Sequence, residues 1–195
     1  MMKDNNNEFK QILRLNGRNV FLEVMNNAFK INKVQINFIE YDQNLEKNKR
    51  QLKNISVYID VDKAMVLIND ILSGRLSGLA KQANEIKAKS GYKYCREIYV
   101  DMGGISASKL KERGKERSDG KSLSRQFKIT PGDKVAWIFS AETGAGEESE
   151  TGMIVAKGKP EEIVRVPMTD EYLKKFAVVV RTHIQAYITA LYVVG

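Results

Sequence analysis

Hydrophobic and polar residues alternate in three short runs in the first third of the chain. Val20, Leu22 and Val24 alternate with Phe21 and Glu23; Val34, Ile36 and Phe38 with Gln35 and Asn37; Ile55, Val57 and Ile59 with Ser56 and Tyr58. A period of two gives each run one buried and one wet face, which is the pattern of a half-buried β-strand. Asn26-Asn27 supplies a turn between the first two runs, and the polar, lysine-rich stretch 42–53 supplies an exposed loop before the third. The pattern predicts an antiparallel sheet.

The period then lengthens. Asp62 is an N-cap residue type, and Met65, Ile68, Ile71 and Leu72 follow it at helical spacing. Leu76, Leu79, Ala80, Ala83 and Ile86 extend the stripe to about residue 89, Gly74 and Gly78 bend or interrupt it, and Ser90-Gly91 stops it. The second half repeats the order, with strands predicted over about 93–101, 123–130, 134–142, 151–157 and 162–166. A helix over 170–193 follows, with Leu173, Phe176, Ala177, Val180, Ile184, Tyr187, Ile188 and Leu191 on one face.

The two strand-to-helix junctions match in pattern. Val57-Tyr58-Ile59-Asp60-Val61-Asp62 corresponds to Val164-Arg165-Val166-Pro167-Met168-Thr169, with Val61 and Met168 each placed to staple onto Val66 and Leu173. Either the units repeat or the match is one that strand-to-helix junctions share. The predicted class is α+β, with a polar leader over 1–16, a first sheet-plus-helix unit over 17–91 and a second over 92–195, together one compact domain.

Composition narrows the setting. Of 195 residues 43% are hydrophobic and 29% charged, the balance of a globular chain rather than a disordered one. Cys95 is the single cysteine, and no set of cysteines and histidines has metal-site spacing, so a reducing compartment and no metal are expected. The start of the chain, Met1 to Glu8, lacks the apolar stretch of a secretory signal, and no uninterrupted apolar run reaches about 18 residues. A cytoplasmic protein off the membrane is expected. Thirty-two Lys and Arg against 24 Asp and Glu leave a net charge of +8, which biases the surface toward polyanions. Residues 1–100 carry 17 basic groups against 11 acidic, and residues 101–195 carry 15 against 13, so the first half is the more basic.

Catalytic chemistry is sparse. His183 is the only histidine and flanks the apolar stripe of the last helix, the position of a surface or interface residue rather than a general base. Cys95 reads as a small core residue of its strand. The stretch 142–152 is glycine-rich but lacks the Gly-Lys-Ser/Thr ending of a phosphate loop, and its glutamates would repel phosphate, so it reads as a mobile hairpin. No enzyme activity and no cofactor are expected. The segment 106–122, with six basic residues and two glycines, reads as a long flexible loop, either merely solvated or an arm that neutralises phosphates and orders on binding.

The wet face of the first sheet carries the clearest binding chemistry. If Val34, Ile36 and Phe38 point under the helix, Lys33, Gln35, Asn37, Ile39 and Tyr41 point out, with Ser56 and Tyr58 beside them and Lys53 on the same strand. Amides and hydroxyls bond phosphates or bases, lysine supplies charge, and tyrosine offers a stacking surface worth about 1–3 kcal/mol per base. In the second unit Tyr94 and Arg96 share a strand face, Lys128 lies on another strand, and Trp137 belongs to the core rather than to a platform.

The order of sheet, helix, sheet, helix over residues 17–193, with the basic stretch Phe29-Lys30-Ile31-Asn32-Lys33-Val34-Gln35-Ile36-Asn37-Phe38, resembles the Whirly and positive-cofactor-four group of single-stranded DNA-binding proteins. The lysine-glycine-lysine-like strand motif of the plant members is absent, and the first unit reads as three strands where four are usual. The resemblance implies curved sheets that hold the strand, helices that form the core and the oligomer contact, and a binding face at Lys30, Lys33, Gln35, Asn37 and Tyr58. The expectation is low-specificity binding of single-stranded DNA, or RNA, by a homo-oligomer. Two others stay open: an adaptor that self-associates through its last helix, and an enzyme working through Asp, Glu, Lys or Tyr, whose sign would be a cleft of carboxylates with perturbed pKa values.

Overall fold

The computed structural model describes residues 10–193 and is α+β. Strands β1 (Gln11–Asn16), β2 (Val20–Met25), β3 (Lys33–Tyr41) and β4 (Gln51–Asp60) form a four-stranded antiparallel meander. Helices α1 (Val61–Leu72) and α2 (Arg75–Ser90) follow. Strand β5 (Tyr99–Ile105), helix α3 (Ala107–Glu112) and strands β6 (Ser122–Pro131), β7 (Trp137–Glu148), β8 (Ile154–Ala156) and β9 (Glu162–Met168) build a second antiparallel sheet of five strands. Helix α4 (Asp170–Val193) ends the described chain.

The first unit has four strands, not three. Residues 11–16, expected within the leader, form β1, whose Leu13 and Leu15 are buried while Arg14 and Asn16 face out. The remainder of that leader lies outside the described residues. The helical stretch after β4 is interrupted at Gly74, one of the two glycines expected to bend or break it, because Gly74 adopts φ +80, a left-handed conformation that costs glycine nothing and breaks the hydrogen-bond run. Gly91, at φ +69, ends α2 as the sequence indicates. Helix α1 starts at Val61 directly after β4, with Asp60 rather than the expected Asp62 at its N-cap position, and Val66 is exposed, so Val61 has no staple there. Thr169 does cap α4, its hydroxyl accepting from the Tyr172 amide at 3.1 Å. The two junctions thus share strand parity, with Val57, Ile59, Val164 and Val166 all buried, but not helix geometry.

The inward faces of the two sheets meet across β4, which lies over β6, β7 and β9. Phe38, Phe127, Phe139 and Phe176 form a chain of ring contacts at 5.9, 5.3 and 5.4 Å, running from the first sheet through the second to α4. Side chains of this size each contribute about 1.5–3 kcal/mol on full burial. Trp137 is buried beside them and donates its indole N–H to Asp170 at 2.7 Å, which joins β7 to the first turn of α4. Leu173, Phe176, Ala177, Val180 and Ile184 bury the first half of α4, whereas Ile188 and Leu191 of its apolar stripe, and Tyr192 beside them, are exposed. By length and composition α4 could cross a bilayer, although its first half is core.

Two expected loops are ordered. The glycine-rich stretch is the end of β7 and its turn into β8. Gly104 and Gly146 leave room for Ile154, which a Cβ at either position would approach within 3 Å. Within 106–122, α3 forms because Ser106 caps it, accepting from the Lys109 amide, and Leu110 anchors it in the core.

Candidate functional site

The inward face of the second sheet is covered only along part of its length. Register places Ile129 beside Tyr99, Phe127 beside Asp101, Arg125 beside Gly103 and Leu123 beside Ile105, all on one face. Phe127 and Ile129 of this face are core, whereas Leu123 and Arg125 are only part-buried. A cleft of about 920 Å³ opens there between β4, β5, β6 and α3.

Seven basic side chains line it, Lys33, Lys63, Lys109, Arg113, Lys115, Arg117 and Arg125, against three acidic ones, Asp60, Asp101 and Glu148. Lys33 pairs with Asp60, and Lys63 bridges Asp60 at 3.5 Å and Asp101 at 3.3 Å. Arg117 is clasped by Asp119 at 2.9 Å and Glu161 at 2.5 Å. Among the described residues no carboxylate lies within 4.0 Å of the charged groups of Lys109, Arg113, Lys115 or Arg125.

The electrostatics follow from these contacts. The Lys33 ammonium bonded to Asp60 holds that carboxyl below its ordinary range against the opposing effect of burial. Burial pushes Asp101 up, with Lys63 pulling the other way, and the Asp101 charge raises Lys63 in turn. Burial pushes the Tyr99 phenol up as well. Arg125 is half-buried, and its desolvation lowers the guanidinium pKa, opposed by nearby Tyr58. A buried cation without a counter-charge is unfavourable, and an arriving anion relieves it.

The cleft does not close at Arg125. Leu123 and Arg125 also line a second cavity of about 530 Å³, bounded by Asn54, Thr143, Glu161 and Glu162. The two cavities share Leu123 and Arg125, and the second is lined on its far side by the carboxylates of Glu161 and Glu162.

Of the ten residues expected to bind, Lys33 and Tyr58 line this cleft. Gln35 and Asn37 lie on the outward face of the first sheet, as expected, but their amides are engaged: Asn27 donates to Gln35 at 2.8 Å, Gln35 to Asn37 at 2.8 Å, Asn37 to Glu23 at 3.1 Å, and Ser56 to Asn37 at 2.7 Å. Ile39 on the same face is buried, and Tyr41 packs against Phe21 with ring centroids 5.6 Å apart. Lys53 lies on the opposite face, because its register partner is Glu40, to which it is bonded at 2.7 Å. Lys30 is exposed in a short 3-10 turn before β3.

The expected strand at 93–101 begins only at Tyr99, so Tyr94 and Arg96 sit in an exposed irregular segment rather than on a sheet face. Cys95 there is half-buried and donates to Asn84 at 3.0 Å; it is not a core residue. Lys128 is on the outward face of the second sheet, bonded to Glu142 at 2.7 Å and facing Glu97 at 3.5 Å. His183 is exposed.

Lys63, Asp101 and Arg125 are the cleft residues that the sequence reading missed. Their signal was present for two of them: Arg125 shares strand parity with Phe127 and Ile129, and Asp101 with Tyr99, so each puts a charge where the pattern calls for an apolar residue. Compared with protein-family models, curated proteins and solved structures, the chain matches none.

Proposed function

We propose that the chain binds single-stranded nucleic acid in the groove between its two sheets, holding it by charge with little sequence preference. The observation that carries this reading is the group of cations without counter-charges among the described residues, Lys109, Arg113, Lys115 and Arg125, lining one open cleft. An extended polyanion satisfies such a row of cations. Duplex readers instead insert a helix or ribbon into a groove of the DNA; here the cations line a concave wall, and α3 is six residues long with Leu110 in the core. Tyr58, 39% exposed at the lip beside Arg125, is placed to stack on a base. Four strands in the first unit remove one departure from the Whirly group. Asp101 and Asp60 act in this reading as counter-charges to Lys63 and Lys33, and no reaction is invoked.

Fluorescence anisotropy of a labelled oligothymidylate, with duplex and RNA competitors, tests the proposal. Four unpaired cations imply a slope of log affinity on log salt of about −3, at roughly 0.7 per single-strand phosphate contact. Preference for duplex, or no binding at low salt, refutes it.

A second reading has its own support. Ile188, Leu191, Tyr192 and Val193 project beyond the core at 39, 59, 84 and 76% exposure, which suits self-association through α4. Sedimentation velocity of the wild type and of Leu191→Glu tests it: a dimer that the substitution dissociates supports the reading, and a monomer at all concentrations refutes it.

A further inference from the structure

The residues that line the cleft differ in parity from strand to strand. Strand β6, paired on both sides, contributes Leu123, Arg125 and Phe127, alternate residues on one face. Strand β5 contributes a continuous run, Asp101 to Ile105, and β4 contributes the neighbours Val57 and Tyr58. Successive side chains point to opposite faces, so one cavity meets both only where it runs along a strand's edge. Both are edge strands: β5 pairs with β6 alone, and β4 with β3 alone. The cleft therefore exposes the free edge of β5, whose outward N–H and C=O groups have no strand partner among the described residues. Tyr99–Ile105 carries no proline and no lysine, residues that commonly block an edge, and Gly103 and Gly104 leave it bare.

We infer that this edge accepts an extended peptide as an added strand, held by backbone hydrogen bonds, with acidic side chains at alternate positions. Asp101, Gly103 and Ile105 share a face with Arg125, and Lys63 reaches Asp101 there. Peptide residues that point to this side meet Arg125, half-buried and without a paired carboxylate among the described residues, so acidic side chains suit them. The residues between them point to the side of Met102 and Gly104, where Ile154 packs on Gly104. Glu148, the register partner of Ile154, places a carboxylate on that side, so apolar residues suit it better than acidic ones. The partner is then a strand that alternates acidic and apolar residues along the edge from Asp101 to Ile105. A second copy of this chain does not fit, since pairing two β5 edges would bring two basic clefts together. The peptide competes with nucleic acid for the cleft, a consequence that rests on the proposed function.

The test measures, by anisotropy on the full chain, a labelled peptide alternating glutamate and valine, the same residues arranged in two blocks, and the alternating peptide N-methylated either at its glutamates or at its valines. The block peptide is expected to bind at least tenfold more weakly than the alternating one. One methylated peptide is expected to lose at least tenfold and the other to keep its affinity, because only alternate amides of an added strand face β5. Equal affinity of the block and alternating peptides, or of the two methylated ones, overturns the inference, since the cleft would then hold charge alone. Hydrogen exchange at Asp101 to Ile105 is expected to slow with the alternating peptide and not with oligothymidylate. Exchange unchanged by the peptide overturns the inference, as does slowing that grows with protein concentration without peptide, the mark of a second copy. No peptide binding by a preparation that binds oligothymidylate overturns it and leaves the proposed function standing; peptide binding by one that binds no oligothymidylate overturns the proposed function alone.

Discussion

Replacing Arg125 with methionine separates binding from folding, because the two respond in opposite directions. Arg125 is half-buried at the junction of the two cavities, no carboxylate pairs with it among the described residues, and burial lowers its pKa. In the free protein its charge is a liability, and a methionine of similar length restores packing without it. Apolar replacement of buried charges is commonly neutral or stabilising, so a gain of up to about 1 kcal/mol is expected, a rise of roughly 2–4 °C in Tm for a chain of this size. In the complex the guanidinium donates to phosphate in a partly desolvated site, where a charged hydrogen bond contributes about 1.5–3 kcal/mol. Arg125→Met should therefore weaken oligothymidylate binding by about 10–150-fold. It should also make the salt slope shallower by about 0.7. Thermal denaturation and anisotropy on one preparation give both numbers. A variant with lower Tm and unchanged affinity would refute the reasoning, since Arg125 would then be a structural residue.

Three further outcomes follow from the same geometry. A Cβ at Gly103 meets only the Arg125 carbonyl, at 3.9 Å, so Gly103→Leu should fold with a Tm at or above that of the wild type while its side chain fills the cleft and cuts affinity at least tenfold. Asp101→Asn should bind more tightly, by on the order of 1 kcal/mol or about fivefold at neutral pH, because a negative charge leaves the cleft and Lys63 keeps only its 3.5 Å contact with Asp60. The Asp101 pKa is raised above 3.8 in the folded state, so its ionised form costs stability at neutral pH and that cost fades as pH falls. The variant should thus melt higher than the wild type at pH 7, with the difference shrinking toward pH 4; a constant difference would contradict the assignment. Lys53→Ala and Lys128→Ala remove cations held by Glu40 and by Glu142 with Glu97, away from the cleft, and should leave affinity within about twofold of the wild type.

Local pattern made much of the fold legible. Alternation placed the cores of β2, β3 and β4, and heptad-like spacing placed α4 from Asp170 to Val193. Strand β1 escaped because Leu13 and Leu15 offer only two buried positions next to a polar leader. The hairpin between β7 and β8 is legible in the glycine-rich stretch, but the close packing of Ile154 against Gly104 and Gly146 is not, because it depends on a contact between strands. The site was less legible than the fold. Lys33 and Tyr58, read from one sheet face, line the cleft, but a face read in isolation does not show that Gln35, Asn37, Glu23 and Ser56 satisfy one another. Nor can one unit's pattern show that β4 of the first sheet, β5 and β6 of the second and α3 leave a cleft beside Arg125. The cleft is a product of both units, and only the misplaced charges at Asp101 and Arg125 announced it in the sequence.

The central claim is the location of the bound strand, and backbone amide chemical-shift mapping during titration with an oligothymidylate measures it directly. The account predicts the largest shifts at Gly103, Gly104, Arg125, Tyr58 and Lys63, with little change at Gln35, Tyr41 and Lys128. Shifts gathered instead on the outward face of the first sheet, at Gln35, Asn37 and Tyr41, would contradict it.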